Sequence, residues 1–152
     1  MKCAFDTNIF IDGFRSDARQ AEVFAFLNRA LPFTYLSAVV MQELATGART
    51  TESARRVQQG VFEPFERRNR IFAPSARAFV ESGRVLAALA GRDGWRSIDG
   101  NPSLLNDALL GASCREQGIT LITRDADFKR LLPFLKGLRY ARPWPQAAGP
   151  AR

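Results

Sequence analysis

The sequence contains no histidine. This absence excludes Ser-His-Asp and Cys-His nucleophile systems, nucleases that use histidine as a general acid or base, and imidazole metal sites. Hydrolytic chemistry in this chain would therefore run on carboxylates, together with a hard cation that prefers oxygen ligands.

Cysteines are also scarce, and with no histidine to complete a site the two present are too few to bind zinc. Cys3 and Cys114 both have apolar neighbours, which predicts two buried thiols in a reducing compartment rather than a disulfide bridge.

Long hydrophobic runs are missing as well. No apolar run approaches the ~18 residues that cross a bilayer, and the stretch before the first acid, Asp6, is too short for a signal-peptide core. We therefore expect a cytoplasmic protein with no membrane partner. At 152 residues the chain fits one domain, residues 1–140, followed by a tail rich in proline, alanine and glycine at 141–152.

Basic residues exceed acidic ones, with 22 Lys and Arg against 15 Asp and Glu and a net charge of +7. A basic surface around an acidic cluster suits a polyanionic substrate that is drawn to a metal centre. The alternative is that an arginine-rich, GC-biased genome produces basic proteins without any nucleic-acid partner.

Short apolar runs alternate with segments of helical periodicity. The predicted strands span residues 2–5, 33–36, 71–72, 119–123 and 138–140, and the predicted helices span 18–31, 38–47, 74–90, 102–117 and 128–135, with one or two surface helices in 51–70. Asp12-Gly13 predicts a turn, and 91–101 a loop. Strands separated by helices favour a parallel α/β sandwich, in which ligands lie beyond the carboxyl ends of the strands.

Four acids stand where a purely solvent-facing role is doubtful. Asp6 follows the first apolar strand and Asp125 follows the strand at 119–123, whereas Glu43 and Asp107 lie within largely apolar helices. A carboxylate near a core costs several kcal/mol unless a positive group pairs with it. A divalent cation with oxygen ligands would neutralise several of them together.

Each acid also has a structural alternative. Asp6 and Asp125 are typical of turn formers or helix caps, Asp127 could occupy the first turn of a helix, and Glu43 and Asp107 could be polar edges of half-buried helices. Singly these signals are weak, and it is their combination in order and context that indicates a site.

Four segments resemble the acidic motifs of PIN-domain nucleases. They are DTNIF at 6–10, SAVVMQEL at 37–44, NDALLGA at 106–112 and ITRDADF at 122–128. The resemblance covers residues 2 to about 135, and the short length and motif spacing resemble the VapC-type toxins of bacterial toxin–antitoxin pairs. It implies a three-layer α/β/α sandwich with a central parallel sheet, and an endoribonuclease that depends on Mg²⁺ or Mn²⁺.

The resemblance also implies roles for individual residues. The family's four catalytic, metal-binding acids match Asp6, Glu43, Asp107 and Asp125, and Asp127 matches an auxiliary acid of some members. As a mechanistic hypothesis, Asp6, Asp107 and Asp125 would hold one ion, with Glu43 completing the cluster or binding a second.

Supporting residues and partners follow from the same resemblance. Thr7, Asn8 and Thr123 match positions that orient the acids or a water molecule. The implied partners are an RNA substrate, a cognate antitoxin protein that places an Arg or Lys near the acids, and a second copy of the chain in a homodimer. We expect arginines of the 55–70 segment to contact the RNA backbone.

Other classes are less consistent with the residues. A phosphatase of the haloacid dehalogenase type needs a second Asp where this chain has Asn8, a receiver domain needs an early acidic pair and a later lysine, and flap-type DNA nucleases are much longer. The alternative that stays open is a non-catalytic PIN-type module that binds RNA or docks a protein.

Overall fold

The computed structural model describes residues 1–15, 25, 29 and 31–143. Within them, five parallel strands form one sheet in the order β3-β2-β1-β4-β5. The strands are β1 (Cys3–Phe5), β2 (Thr34–Ser37), β3 (Ile71–Phe72), β4 (Thr120–Ile122) and β5 (Tyr140–Ala141).

Helices connect the described strands and cover both faces of the sheet. They are α1 (Thr7–Arg15), α2 (Ala38–Gly47), α3 (Thr51–Val57), α4 (Glu63–Glu66), α5 (Ala76–Asp93) and α6 (Pro102–Glu116), and a π-helical turn (Gln58–Phe62) joins α3 to α4. Short 3₁₀ turns occur at Leu31–Phe33, Trp95–Ser97, Asp127–Arg130 and Leu132–Phe134. The prediction of a three-layer α/β/α sandwich with a central parallel sheet is confirmed.

Polar side chains begin the helices where the sequence places them. Ser37 accepts a hydrogen bond from the amide of Val39 (3.2 Å) at the start of α2. Asn101 accepts one from the amide of Leu104 (3.2 Å) at the start of α6, with Pro102 at the first helical position. Both caps satisfy amides that the helix itself leaves unpaired.

Several predicted boundaries are wrong. Asp12 and Gly13 lie inside α1 and form no turn, because the helix continues to Arg15. The predicted loop from residue 91 begins only after Asp93, where Gly94 takes a φ of +87° and ends α5.

The predicted helix at 128–135 is instead two 3₁₀ turns. Pro133 explains the break, because it has no amide hydrogen and its ring would clash with the preceding turn of an α-helix.

Part of the prediction falls on residues that the structure does not describe. Of the helix predicted at 18–31, only Ala25 and Arg29 are described before the turn at Leu31, and both are helical. Of the predicted tail at 141–152, Ala141 belongs to β5 and residues 144–152 lie outside the described part of the chain. None of the described helices is long and apolar enough to cross a membrane.

The topology fixes where a site can form. From β1 the chain passes outwards to β2 and β3 on one side, whereas β4 and β5 lie on the other side of β1. The strand order therefore reverses between β1 and β4, and the crevice beyond their carboxyl ends is the general position for a ligand in open α/β sheets. Beneath it lies an apolar core that includes Phe5, Ile9 and Leu121, and the two cysteines are buried free thiols, as predicted.

Candidate active site

Asp6 follows β1 directly and lies at this crevice. Its amide donates to the carbonyl of Ile122 (2.9 Å), which extends the pairing of β1 with β4 by one residue. Its Oδ1 accepts from the Thr7 amide (2.7 Å) and its Oδ2 from the Thr123 hydroxyl (2.7 Å). The side chain is only 4% exposed, so it is held between the first and fourth strands.

Glu43 lies on α2 and reaches the same crevice. Its Oε2 accepts a hydrogen bond from the Thr7 hydroxyl, and its Oε1 accepts one from the Asn106 side-chain amide (2.9 Å). The half-buried Glu43 thus joins the beginning of α1 to the helix that carries Asp107.

Asp107 lies on α6 and is 8% exposed. The pKa of its carboxyl is raised from 3.8 to about 8, first by burial and then by the negative charges of the other acids of the site, which are Asp6, Asp125, Glu43 and Asp127 in order of effect. The electrostatic effect decays with distance. Acids from three other segments of the chain therefore lie near this carboxyl: the end of β1, helix α2 and the segment after β4.

Asp125 and Asp127 lie in the segment after β4. The Asp125 amide donates to the Thr123 hydroxyl (3.0 Å), and the Asp127 amide donates to Oδ1 of Asp125 (2.7 Å). Thr123 therefore donates to Asp6 and accepts from Asp125, which ties the two acids together. Asp127 is exposed, whereas Asp125 is half-buried.

Burial also dominates the electrostatics of Asp6. It raises the pKa of the Asp6 carboxyl, the hydrogen bonds from Thr123 and Thr7 oppose that rise, and the charges of Glu43 and Asp125 add to it. A site in which two carboxyl pKa values are raised by neighbouring acids carries more negative charge than the protein itself compensates.

The cation next to Asp125 in the chain does not neutralise the cluster. Arg124 stands between Thr123 and Asp125 in the chain, but its guanidinium forms an ion pair with Asp12 on α1. The pair fixes the segment after β4 onto α1 and leaves the excess negative charge of the acids in place.

The donor set fits a hard divalent cation. All the ionisable ligands that meet here are carboxylates, and the Asn8 side-chain oxygen is buried without a hydrogen-bond partner among the described residues. Oxygen ligands of this kind suit Mg²⁺ or Mn²⁺. Among the described residues, no three acids are already close enough together to hold one ion. Binding would require the carboxylates to draw inwards.

Seven of the eight residues predicted from sequence meet at this crevice, and the eighth, Asn8, follows Thr7 on α1 with its side-chain oxygen buried. The structure adds three residues that the prediction missed. Asn106 binds Glu43, Asp12 binds Arg124, and the Cys114 thiol lies deep enough beside the cluster that burial and then Asp6 raise its pKa to about 12. The sequence could have indicated Asn106, because it is a polar residue next to Asp107 in an otherwise apolar stretch of helix. The contacts of Asp12 and Cys114 depend on tertiary structure.

A cavity of about 260 Å³ has Glu43 in its lining. It lies between α1, α2 and α3, and its wall is largely apolar, with Phe14, Leu44 and Val57 among its residues. Arg56 also lines the cavity but forms an ion pair with Glu52. The cavity therefore leads from an apolar surface to one edge of the acidic cluster.

Comparison with known proteins gives a family and a fold. A family model of the PIN domain matches residues 3–131. No curated protein matches the sequence closely enough to count as a relative.

Three solved structures illustrate the fold likeness. FitAcB from Neisseria gonorrhoeae has 19% identity and a TM-score of 0.65, covering 93% of this chain and 98% of that one. DNA-bound VapBC from Salmonella typhimurium has 19% identity and a TM-score of 0.65, covering 95% and 99%. A toxin–antitoxin complex from Klebsiella pneumoniae has 22% identity and a TM-score of 0.60, covering 94% and 98%. At these identities the likeness establishes the fold.

Proposed function

The chain belongs to the PIN-domain family, and on that premise we propose that it is a divalent-metal-dependent endoribonuclease that hydrolyses RNA phosphodiester bonds at the crevice between β1 and β4. Proteins of this family are generally nucleases. The observation that carries the proposal is the convergence of acids from three other segments on the buried Asp107 carboxyl, whose pKa they raise.

The proposed ion is Mg²⁺ or Mn²⁺, held by Asp6, Asp107 and Asp125, with Glu43 as a further ligand. A divalent ion in such a site supplies a Lewis acid for phosphodiester hydrolysis and neutralises charge on the reacting group.

The chain's own residues would keep these ligands in place. Thr123 holds Asp6 and the Asp125 backbone, Thr7 links Asp6 to Glu43, and Asn106 fixes the other oxygen of Glu43. Such constraints matter because a displacement of about 1 Å at a catalytic centre lowers rates substantially.

We further propose that the protein is the toxin of a toxin–antitoxin pair. The three solved structures of similar fold named above are a toxin–antitoxin complex, a DNA-bound VapBC and FitAcB. The apolar cavity beside Glu43 supports the idea, because it would accept apolar side chains of an antitoxin while a basic residue reaches the acids. A homodimer and a cytoplasmic location belong to the same proposal.

The second candidate is a PIN-type module that binds RNA or a protein without cleaving. The arrangement that favours it is the separation of the acids, since no three of those in the described residues stand within reach of one ion. A metal titration separates the two candidates, because only the nuclease requires that the acids close around a cation.

The direct test incubates purified protein with total RNA in Mg²⁺, in Mn²⁺ and in EDTA. The matched variants are Asp107→Asn, which removes a ligand, and Asp99→Asn, which removes the same charge from an exposed position outside the cluster. We expect discrete fragments from the wild type and Asp99→Asn, and none from Asp107→Asn or after chelation. Cleavage retained by Asp107→Asn or in EDTA would contradict the metal nuclease, and a wild-type protein that neither binds the metal nor cleaves RNA would favour the non-catalytic module.

A further inference from the structure

An RNA substrate would meet an electrostatic obstacle at the candidate active site. Five acids surround the crevice, and two described arginines beside it are already engaged, Arg124 by Asp12 and Arg56 by Glu52. A bound cation would offset part of this charge at the scissile phosphate, but the phosphates on either side would still face carboxylates. Binding of the RNA backbone therefore requires unpaired cations close to the crevice.

Such cations lie near Asp125. Lys129 is on the 3₁₀ turn after β4, and Arg142 directly follows β5. A small cavity of about 60 Å³ has Thr123 and Asp125 in one wall, and Lys129, Tyr140 and Arg142 also line it. Phe128 and Leu132 supply its apolar part. Because Thr123 and Asp125 also belong to the acidic cluster, this cavity adjoins the candidate active site.

Lys129 and Arg142 differ from the other cations near the crevice. Both are exposed, and within residues 1–15 and 31–143 neither forms an ion pair. Their charges are therefore available to an external anion.

The cavity is small, and the two cations that line it suit the charge of a phosphate group. Tyr140 is 48% exposed, and its ring offers a surface on which an adjoining base can stack.

We propose that Lys129, Arg142 and Tyr140 form an RNA subsite that holds the phosphate next to the scissile one and stacks its base. The subsite deepens the proposed function and rests on it, since the cavity joins the acids at Asp125. With this subsite, the RNA would run across the ends of β4 and β5. Contacts with the arginines of the 55–70 segment would be additional.

The contribution of Lys129 and Arg142 to RNA binding is tested by measuring affinity over a range of salt concentrations. The probe is a fluorescein-labelled single-stranded RNA of random sequence in Ca²⁺, with full-length protein. Lys129→Gln/Arg142→Gln should weaken binding at least tenfold at low salt and reduce the slope of log K against log salt by about 1.4, because each contact to a single strand contributes about 0.7. The control, Arg77→Gln/Lys136→Gln, removes the same charge from exposed positions outside the cavity and should stay within twofold of wild type.

The stacking role is tested at Tyr140. Tyr140→Ala should weaken binding by about fivefold to a hundredfold with an unchanged salt slope, whereas Tyr140→Phe keeps the ring and should bind like wild type. Equal losses in the Arg77/Lys136 control, or equal competition by polyglutamate, would show a generic response to charge and overturn the subsite. Circular dichroism melts of each variant exclude unfolding as the cause.

Cleavage kinetics separate this proposal from the proposed function. If the wild type cleaves RNA, the Lys129/Arg142 variant should raise KM with little change in kcat, and an unchanged KM would overturn the subsite alone. If the wild type binds RNA but does not cleave, and the variants still lose binding, the nuclease fails and the subsite stands. If the wild type binds no RNA, both proposals fail.

Discussion

Burial and neighbouring charges strongly favour the protonated form of the Asp107 carboxyl. Its carboxyl is 8% exposed and faces Asp6, Asp125 and Glu43, so its pKa rises to about 8. Without a cation, the carboxyl is therefore protonated at neutral pH, and ionising it opposes folding.

This shift predicts the direction of the pH dependence of stability. The pKa of Asp107 is about 8 in the folded protein and near the ordinary 3.8 in the unfolded chain, so the folded state binds the proton more tightly. Its contribution is therefore most favourable below pH 3.8 and is lost as the pH rises towards 8. Asp6 acts in the same direction. In EDTA, the free energy of unfolding should fall by about 2–4 kcal/mol between pH 5 and pH 8.

Urea denaturation at pH 5, 6.5 and 8 measures this slope. Asp107→Asn is the comparison, because it keeps the shape of the side chain and cannot ionise. The variant should be more stable than the wild type at pH 8 in EDTA and close to it at pH 5. Parallel curves for the two proteins would show that Asp107 does not titrate in this range.

Thr123 and Thr120 are two buried threonines whose hydroxyl groups differ in hydrogen bonding. Both are buried in or beside β4, but Thr123 bonds to Asp6 and Asp125, whereas the Thr120 hydroxyl has no hydrogen-bond partner in the described structure. Thr123→Val should destabilise the protein by about 1–3 kcal/mol and lower activity, because it leaves buried partners unpaired. Thr120→Val should be neutral or stabilising. Urea denaturation compares the two, and equal losses would mean that the Thr123 bonds contribute nothing.

Among the elements, α6 packs unusually closely against the 3₁₀ segment that follows β4. A Cβ added at Gly111 would lie 2.7 Å from Leu135 Cδ1 and 3.0 Å from Phe128 Cζ. Both of those side chains are 1% exposed, so neither can move aside into solvent. The glycine thus allows the helix that carries Asp107 to approach the segment that carries Asp125.

Two glycine substitutions test this close approach. Gly111→Ala should destabilise the protein by about 1–3 kcal/mol through overpacking, even though alanine favours helices. Gly83→Ala, in α5 with nothing within 4 Å of the new Cβ, should stabilise it by about 0.5–1 kcal/mol. Thermal melts of both variants measure these changes in stability. Stabilisation by Gly111→Ala would show that α6 can move away from Phe128 and Leu135 without loss of stability.

The elements also show what sequence could predict. The Ser37 cap of α2 and the Pro102 start of α6 are local signals, and both helices begin where predicted. Asp12-Gly13 failed because a local turn preference yields to the burial of neighbouring Ile9 and Phe10 and to the ion pair with Arg124. Local preference decides an element only where packing does not oppose it.

For the whole molecule, the sequence predicted which acids lie at the carboxyl edge but not how they are joined. Asp6 and Asp125 follow apolar strands, which indicated the edge. The adjacency of β1 and β4 and the links of Glu43 to Thr7 and Asn106 depend on strand order and on contacts between distant segments. No periodicity in the sequence encodes them.

Folding of the whole chain and ion binding should therefore be coupled. The proposed ligands are far apart in sequence, at positions 6, 43, 107 and 125, so the unfolded chain has no preformed site. An ion that binds only the folded state stabilises it by about 2.7 kcal/mol at a hundred times its Kd, or about 5–10 °C in Tm for a chain of this size. Asp107 must lose its proton to bind, so the rise should be larger at pH 8 than at pH 6.

Thermal melts with Mg²⁺ or Mn²⁺ at both pH values test this coupling. Asp6→Asn and Asp107→Asn should abolish the rise in Tm, whereas Asp99→Asn should keep it. A rise that persists in both ligand variants would place the ion elsewhere on the protein. No rise in the wild type with either ion would mean that the acids do not close around a cation, and the crevice would then be a surface that binds without hydrolysis. The melts thus test the chemistry of the site without depending on which RNA is cleaved, because the ion acts on the folded chain before any substrate arrives.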